Sequence, residues 1–383
     1  MIEALSAFVP ALLLGWLILR FREHHEAVTG DAAAGGPQKI HTSPVPRIGG
    51  TMIFAGFAAG MAVASARGYV TSQHAAIVVL CGTPAFACGL FEDLTKHGGV
   101  FFRLLATFVS AGLAFWLLGA RLDRLDIALV DDLLLFLPLS LAVTMFMAAG
   151  VSQSINIIDG LNGLAAFVAM AIFAAIGFVA WKVGDALVLS ISLASLGALL
   201  GFFVWNFPRG MIFCGDGGAY FVGFVIAEVS VLLVHRNREV SSWFPLMAVA
   251  YPVWETMFSI YRRRLVSRKA AMRPDALHFH SLVYRWVTRL SGDAGDGAGA
   301  WRRNAQSSVI CWSLPILATV LAVSCWDQTW KLALASIGFA IVYVLVYRQL
   351  VRARNWRRIR RVCAGSDAKG LGEGDMAKAG PHR

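Results

Sequence analysis

Long uninterrupted runs of apolar residues, each bounded by Gly, Pro or a charge, recur along the chain at 4–20, 49–66, 74–91, 103–120, 132–150, 162–181, 186–205, 217–234, 243–260, 307–325 and 330–347. A helix needs roughly 20 such residues to cross a hydrocarbon core about 30 Å thick. The pattern therefore predicts eleven transmembrane helices and an all-α polytopic fold. Strands of a membrane barrel would alternate apolar and polar positions over about 10 residues, and these runs do not. The first run has no basic stretch before it and no small-residue cleavage signal after it, so it reads as a retained helix and not a removed leader.

Composition agrees with that class. Of 383 residues, 57% are hydrophobic and 15% charged, with a mean hydropathy of +0.64, whereas soluble domains carry about 25% charged residues. Disordered, collagen-like, disulfide-scaffold and soluble multidomain classes are excluded. Cys81, Cys88, Cys311 and Cys325 fall inside apolar runs and read as small buried hydrophobes. The net charge of +11 is informative through its placement and not as a nucleic-acid signal. Eleven spans put 27 of the 34 Lys and Arg residues on one side and 7 on the other, and the richer side is expected to be cytoplasmic. The amino terminus then lies outside. The basic tail with Arg352, Arg354, Arg357, Arg358, Arg360 and Arg361 fits attraction to anionic lipid, at about 1 kcal/mol per residue. The expected organisation is a transmembrane domain over 1–348, with a cytoplasmic loop at 261–306, and a basic, partly disordered tail over 349–383. Within that loop SGDAGDGAGA at 291–300 reads as a flexible linker.

With the sides assigned, the unusual polar residues fall on one of them: HTSPVPRIGG (41–50), FEDLTK (91–96), NIIDGLNGLA (156–165), WNFPRGMIFCGDGGAYFVG (205–223) and RPDALHFH (273–280). The other side carries short connectors such as RLDRLD at 121–126, expected to be solvated turns. Glu92 and Asp93 end the third span. Together with Asp216 they offer oxygen ligands from separate elements, as a hard divalent cation requires, although such a pair is equally an ordinary charged helix end. Asp159 adds a third acidic element, flanked by Gly160 and Gly163, which permit close backbone approach to a phosphate or nucleoside. Asp216, between Gly215 and Gly217, opens the eighth span at a positive helix end that suits either a metal-bound diphosphate or an N-cap. His278 and His280 diverge on a helix and share a face on an extended segment. They suit phosphate contact or proton transfer, and zinc is disfavoured because no further Cys or His lies nearby. Glu228 and Glu255 lie within apolar spans, where a charge costs about 2.5–3.5 kcal/mol. Glu228 fits a protonated or internally paired carboxyl, and Glu255 lies near the cytoplasmic end of its span.

In their order along the chain these elements resemble the polyprenyl-phosphate N-acetylhexosamine-1-phosphate transferases, over about residues 39–290. The resemblance is carried by Pro44, Pro46, Gly49 and Gly50, by Glu92-Asp93, by Asn156, Asp159, Gly160 and Gly163, and by Asn206, Gly215, Asp216, Gly218 and Gly223. Its last element is PVWETMFSIYRRR running into RPDALHFH. The chain departs from the family pattern in having Glu92 for Asp, Asn162 for Asp, Ala219 for Ser and Ser281 for His. Asn162 keeps hydrogen-bonding capacity toward a uracil edge without negative charge. Ser281 breaks the His-rich signature of the peptidoglycan branch, so the pattern looks more like the branch that initiates O-antigen or other envelope glycans in Gram-negative bacteria.

The resemblance implies attack by polyprenyl phosphate on a UDP-N-acetylhexosamine, giving a lipid-diphosphate sugar and UMP. It implies magnesium, with manganese as an alternative ion, bound by Asp216 and assisted by Asp93. It also implies catalytic roles for Asp93, Glu92, Asp159, His278 and His280, and donor contacts from Asn156, Gly160, Asn162, Asn206 and Arg273. The implied partners are the lipid acceptor, the UDP-sugar and the bilayer, without nucleic acid; a homodimer is one open arrangement. The sequence alone leaves a transporter or flippase as the rival class, since buried carboxylates occur there too, and a basic-tailed membrane scaffold as a third.

Overall fold

Uniformly apolar runs leave the backbone no partner in lipid other than itself, and helices follow. The computed structural model describes residues 1–31, 45–266, 277–291 and 299–370; Pro44, Arg273 and most of the 291–300 linker lie outside the described residues. After α1 (Ile2–Arg20) and α2 (Arg22–Thr29), a small antiparallel clip pairs β1 (Gly30–Asp31) with β2 (Val45–Pro46). There follow α3 (Gly49–Ala66), α4 (Ser72–Thr95), α5 (Val100–Leu117), α6 (Ala128–Leu134), α7 (Leu137–Ile158), α8 (Leu164–Val183), α9 (Ala186–Asn206) and α10 (Gly215–Arg236). The remaining helices are α11 (Trp243–Ala248), α12 (Ala250–Tyr261) with a π-helical extension over Arg262–Val266, α13 (Phe279–Leu290), α14 (Ala300–Cys311), α15 (Ser313–Ser324) and α16 (Thr329–Gly370). Local chemistry marks several ends. Thr71 caps α4 through the His74 N–H at 3.1 Å, Asp185 caps α9 through the Val188 N–H at 3.2 Å, and Gly184 ends α8 in the left-handed conformation.

Ten stretches of the described chain are long and apolar enough to cross a membrane. The predicted run at 243–260 is not one of them as a single helix. It breaks at Val249 into α11 and α12, because Pro252 has no N–H for the Ala248 carbonyl and its ring crowds that position. The pair nonetheless traverses the bundle: Ser242, before α11, bonds Asp126 at one end, and Glu255 of α12 bonds His278 near the other. The tenth run also differs, with α14 and α15 meeting at Trp312.

The chain divides into a unit of Met1–Phe339 and a second of Ala340–Arg383. In the second, α16 continues to Gly370, past residue 348 where the sequence predicts a tail to begin; Arg and Ala are good helix formers.

Packing in the first unit relies on small residues. Gly56 and Gly60 of α3 meet Ala7, Ala11, Ala194 and Ala198, while Gly197 and Gly201 of α9 lie against the α1 backbone. This is the small-residue interface by which membrane helices approach closely. At the centre stands α10, buried at every residue from Gly215 to Val234 and packed against α3, α4, α7, α8 and α9. Whatever its first turn carries is thereby delivered to the middle of one end of the bundle.

Candidate active site

The site is built around the first turn of α10, whose N–H groups have no partner within the helix. They are satisfied from another helix. Gly89 brings α4 against Gly217, where any Cβ would overlap backbone, and one turn later the Asp93 carboxylate accepts the N–H groups of Asp216 and Gly217, each at 2.9 Å. Asp93 is only 3% exposed. Asp216 is thus not its own cap, and both of its oxygens face the neighbouring elements. Oδ1 accepts from Asn156 Nδ2 at 2.8 Å, and Oδ2 accepts from the Arg103 guanidinium at 2.9 Å. The same Arg103 nitrogen lies 2.9 Å from Glu92 Oε1, and the guanidinium rests over the Tyr220 ring at 5.5 Å. Arg47 reaches Asp93 at 3.7 Å and Asp216 at 3.8 Å.

Arg47 is held there by backbone pairing between two loops. Gly49 and Gly50 donate to the carbonyls of Phe213 and Cys214, and Phe213 donates to that of Pro46. Gly215, at φ +73, leads into α10, and a Cβ there would strike the Arg47 carbonyl and the Asp93 carboxylate.

Asp159 follows the last turn of α7. Its carboxylate makes no hydrogen bond among the described residues, and it keeps limited access to solvent. Burial, aided by Asp216 and Asp93 and opposed by Arg47, pushes it up to about 7. Cys214 beside it is buried and its thiol is raised well above the usual range by the same desolvation and carboxylates.

His278 and His280 do share a face. His278 is the extended N-cap of α13, so its ring stacks on that of His280 at 5.5 Å and 3°. The His280 ring covers Gly160, where a Cβ would collide with it.

The first unit therefore brings together Glu92, Asp93, Asn156, Asp159, Gly160, Asp216, His278 and His280. Two expected donor contacts have other uses. Asn206 is 4% exposed and staples Gly163 N–H to the Ile212 carbonyl. Asn162 is 3% exposed, with its N–H on Asn304 Oδ1 and its amide on the Pro208 carbonyl. Both tie loops together because buried backbone groups need partners. Arg47 and Arg103 were not singled out in the sequence. Arg103 had one available signal, a lone cation in the first turn of an otherwise uncharged span. Cys81 and Cys311 are buried, whereas Cys88 and Cys325 are half-buried. Glu228 sits inside α10 with Oε1 lacking a hydrogen-bond partner.

No group of three or more His, Cys, Asp or Glu residues among the described ones forms a ready metal cage. The donor set suits magnesium in another way. Mg²⁺ is usually held by one or two carboxylates, with water and phosphate completing the shell. Asp216 and Asp159 can supply these, and the buried, unpartnered Glu92 Oε2 is a further oxygen at the same place. Asp93 has a structural task as well, since each of its oxygens accepts a backbone N–H of α10.

Comparison with known proteins settles the lineage. Residues 75–234 match the model of glycosyl transferase family 4. The chain is 30% identical over 305 residues, 67% of its length and 73% of the relative's, to a decaprenyl-phosphate N-acetylglucosaminephosphotransferase of Mycobacterium tuberculosis. The chain belongs to glycosyl transferase family 4. A second member, a probable undecaprenyl-phosphate N-acetylglucosaminyl 1-phosphate transferase of Bacillus subtilis, is 27% identical over 73% of this chain and 77% of its own. A phospho-N-acetylmuramoyl-pentapeptide-transferase of Streptococcus pneumoniae is 29% identical over 47% of this chain and 52% of its own. The stretch matched by the family 4 model contains Glu92, Asp93, Arg103, Asn156, Asp159 and Asp216.

Proposed function

We propose that this membrane protein transfers N-acetylglucosamine 1-phosphate from UDP-N-acetylglucosamine to polyprenyl phosphate, releasing UMP and starting a lipid-linked envelope glycan. The observation that carries this is the convergence of four carboxylates from α4, α7 and α10 on one end of an apolar helical bundle. The cations in ion-pair reach of them among the described residues are Arg47 and Arg103. With all four carboxylates ionised, that set holds two more negative than positive charges, which the charge of one divalent cation would balance.

An oxygen of the acceptor phosphate attacks the sugar-bearing phosphorus, the bond from that phosphorus to the UMP oxygen breaks, and UMP leaves. Phosphoryl transfer asks the protein mainly for positioning and charge compensation. Asp216, with Asp159, would hold magnesium, which when bound neutralises charge on the diphosphate. Arg103 and Arg47, which stand beside the site's carboxylates, would clamp phosphate oxygens. Asp93 positions Asp216 by fixing the first turn of α10, and His280 with Gly160 bounds the site beside Asp159. A lipid acceptor accounts for a site on a membrane bundle, and a nucleotide donor for one facing the cytoplasm, the side the basic residues favour.

Purified protein incubated with radiolabelled UDP-N-acetylglucosamine, magnesium and polyprenyl phosphate is expected to yield labelled lipid and free UMP. No lipid-linked label with any UDP-N-acetylhexosamine, together with solute or lipid movement across vesicles, would establish the transporter reading instead.

A further inference from the structure

Glu255 is the least exposed carboxylate described, at 0%. It lies on α12, yet its partners lie at the start of α13. Oε1 is 2.8 Å from His278 Nδ1 and accepts the Phe279 N–H at 3.1 Å, and Oε2 is 3.3 Å from that same N–H. Ser259 Oγ, one turn further along α12, stands 3.4 Å from Glu255 Oε1 and 3.3 Å from His278 Nδ1. On the other edge of the ring, Nε2 faces the Arg263 guanidinium at 3.5 Å.

These neighbours dictate one form of the neutral imidazole. A carboxylate oxygen only accepts and a guanidinium only donates, so Nδ1 carries the hydrogen and Nε2 keeps its lone pair. The same carboxylate holds a first-turn N–H of α13, which fixes His278 as the extended N-cap and sets its ring parallel to that of His280. The His280 ring in turn closes over Gly160, next to Asp159. One buried side chain thus governs both the tautomer of His278 and the seating of the histidine pair on the Asp159 turn.

We propose that Glu255 is a positioning residue that holds His278 in its Nδ1–H tautomer, leaving Nε2, with its lone pair, as the atom that can accept a transferred proton. A carboxylate behind a histidine fixes ring orientation and tautomer in many active sites, and behind metal-bound histidines its loss costs about 10–100-fold in metal affinity or activity. The activity arm of the test rests on the transferase function proposed above; the tautomer arm does not.

The full-length protein, labelled with ¹⁵N-histidine in detergent, gives imidazole nitrogen resonances from its nine histidines. Those lost in His278→Gln identify the ring. The expected result is an Nδ1–H tautomer in the wild type and a mixture of tautomers in Glu255→Gln, whose amide can donate or accept. In turnover, Glu255→Gln is expected to lose about 10–100-fold in kcat and to cause little further loss in a His278→Gln background, as expected of residues acting through one another. An Nε2–H tautomer in the wild type, an unchanged tautomer in Glu255→Gln, or losses that multiply in the double variant would each overturn the proposal. If Glu255→Gln fails to fold, the wild-type tautomer still decides. Absence of lipid-linked product from the wild type would remove the proposed function and leave that spectroscopic result standing.

Discussion

The two ends of α10 handle charge in opposite ways. At the end away from the site, Arg124 donates to the carbonyls of Val234, Asn237 and Val240 and to Asp126, which lies 2.7 Å away. Asp126 also accepts from Ser241 Oγ, the Ser242 N–H and Thr329 Oγ1, the last two at 2.9 Å. Charge is matched, Arg124 against Asp126, and three connections are clasped together, although Arg124 Nε and Ser242 Oγ have no hydrogen-bond partner among the described residues. The sequence leads one to expect solvated turns from RLDRLD; the Arg124 side chain is instead 11% exposed, because carbonyls at the end of a helix and the adjoining turn need donors. At the Gly215 end, among the described residues, carboxylates outnumber the guanidiniums that reach them, Glu92 Oε2 is unpartnered, and Asp159 has no hydrogen bond. Two aspartates record the contrast. Asp126 is buried enough to be pushed up, yet Ser242, Thr329 and Arg124 together hold it below the usual carboxylate range, whereas Asp159 stands at about 7. Matched charge builds structure here, and unmatched charge waits for a ligand.

The sharpest way to break this contrast is to remove one charge from each end. Asp216→Asn is expected to lose about 3–4 kcal/mol of transition-state stabilisation, or roughly 10²–10³ in kcat, with an unchanged melting temperature. Asp126→Ala should do the reverse. Loss of a partly buried acceptor shared by several donors is expected to cost about 2–3 kcal/mol of stability, while kcat per folded molecule at low temperature stays near wild type. Thermal melting in detergent and the radiolabel assay, run on both variants, check the pair. Matching losses of kcat in the two variants would mean that the ends are not functionally distinct.

The spans were legible because lipid admits few solutions, and even the broken ninth one carries its cause in Pro252. The acidic residues were legible because carboxylates in Gly-rich loops at one surface are rare. Their division of labour was not. Asp93 and Asp216 look alike in sequence, and only the approach of Gly89 to Gly217 shows that one holds the helix that carries the other. Arg103 and Arg47 were hidden because a cation at a helix end is ordinary, and Asn162 and Asn206 looked like ligand contacts because polar side chains that staple loops have the same local sequence. Pairing across 123 residues, as between Asp93 and Asp216, leaves no periodic trace.

Asp93→Asn sharpens the comparison within the site end itself. An amide offers one acceptor oxygen and turns an NH₂ toward the second backbone N–H, so one donor of the α10 first turn loses its partner, at about 1–2 kcal/mol. If Asp93 positions α10, the variant should melt lower and turn over more slowly with an unchanged magnesium dependence. A magnesium requirement shifted tenfold or more, by an order-of-magnitude criterion of about 1.4 kcal/mol, would make Asp93 a direct ligand.

The smallest effect expected is one of sign. Asp159 has its carboxyl at about 7 in the folded, ligand-free protein, against about 3.9 in an unfolded chain. A raised value means that its contribution to stability is complete below about pH 4 and is lost as pH rises through 7. Asp126, lowered, behaves oppositely: its contribution is present above about pH 4 and fades in acid below it. In chelator, Asp159→Asn should therefore match wild type near pH 4 and melt higher at pH 8. The full shift corresponds to about 4 kcal/mol, which limited solvent access reduces to an expected gain of about 1–2 kcal/mol. Added magnesium should narrow that difference at pH 8 by giving the wild-type carboxylate a counter-charge. A variant that melts lower than wild type at pH 8 would show that Asp159 is already matched within the protein, and the two ends of α10 would then differ far less than their geometry indicates.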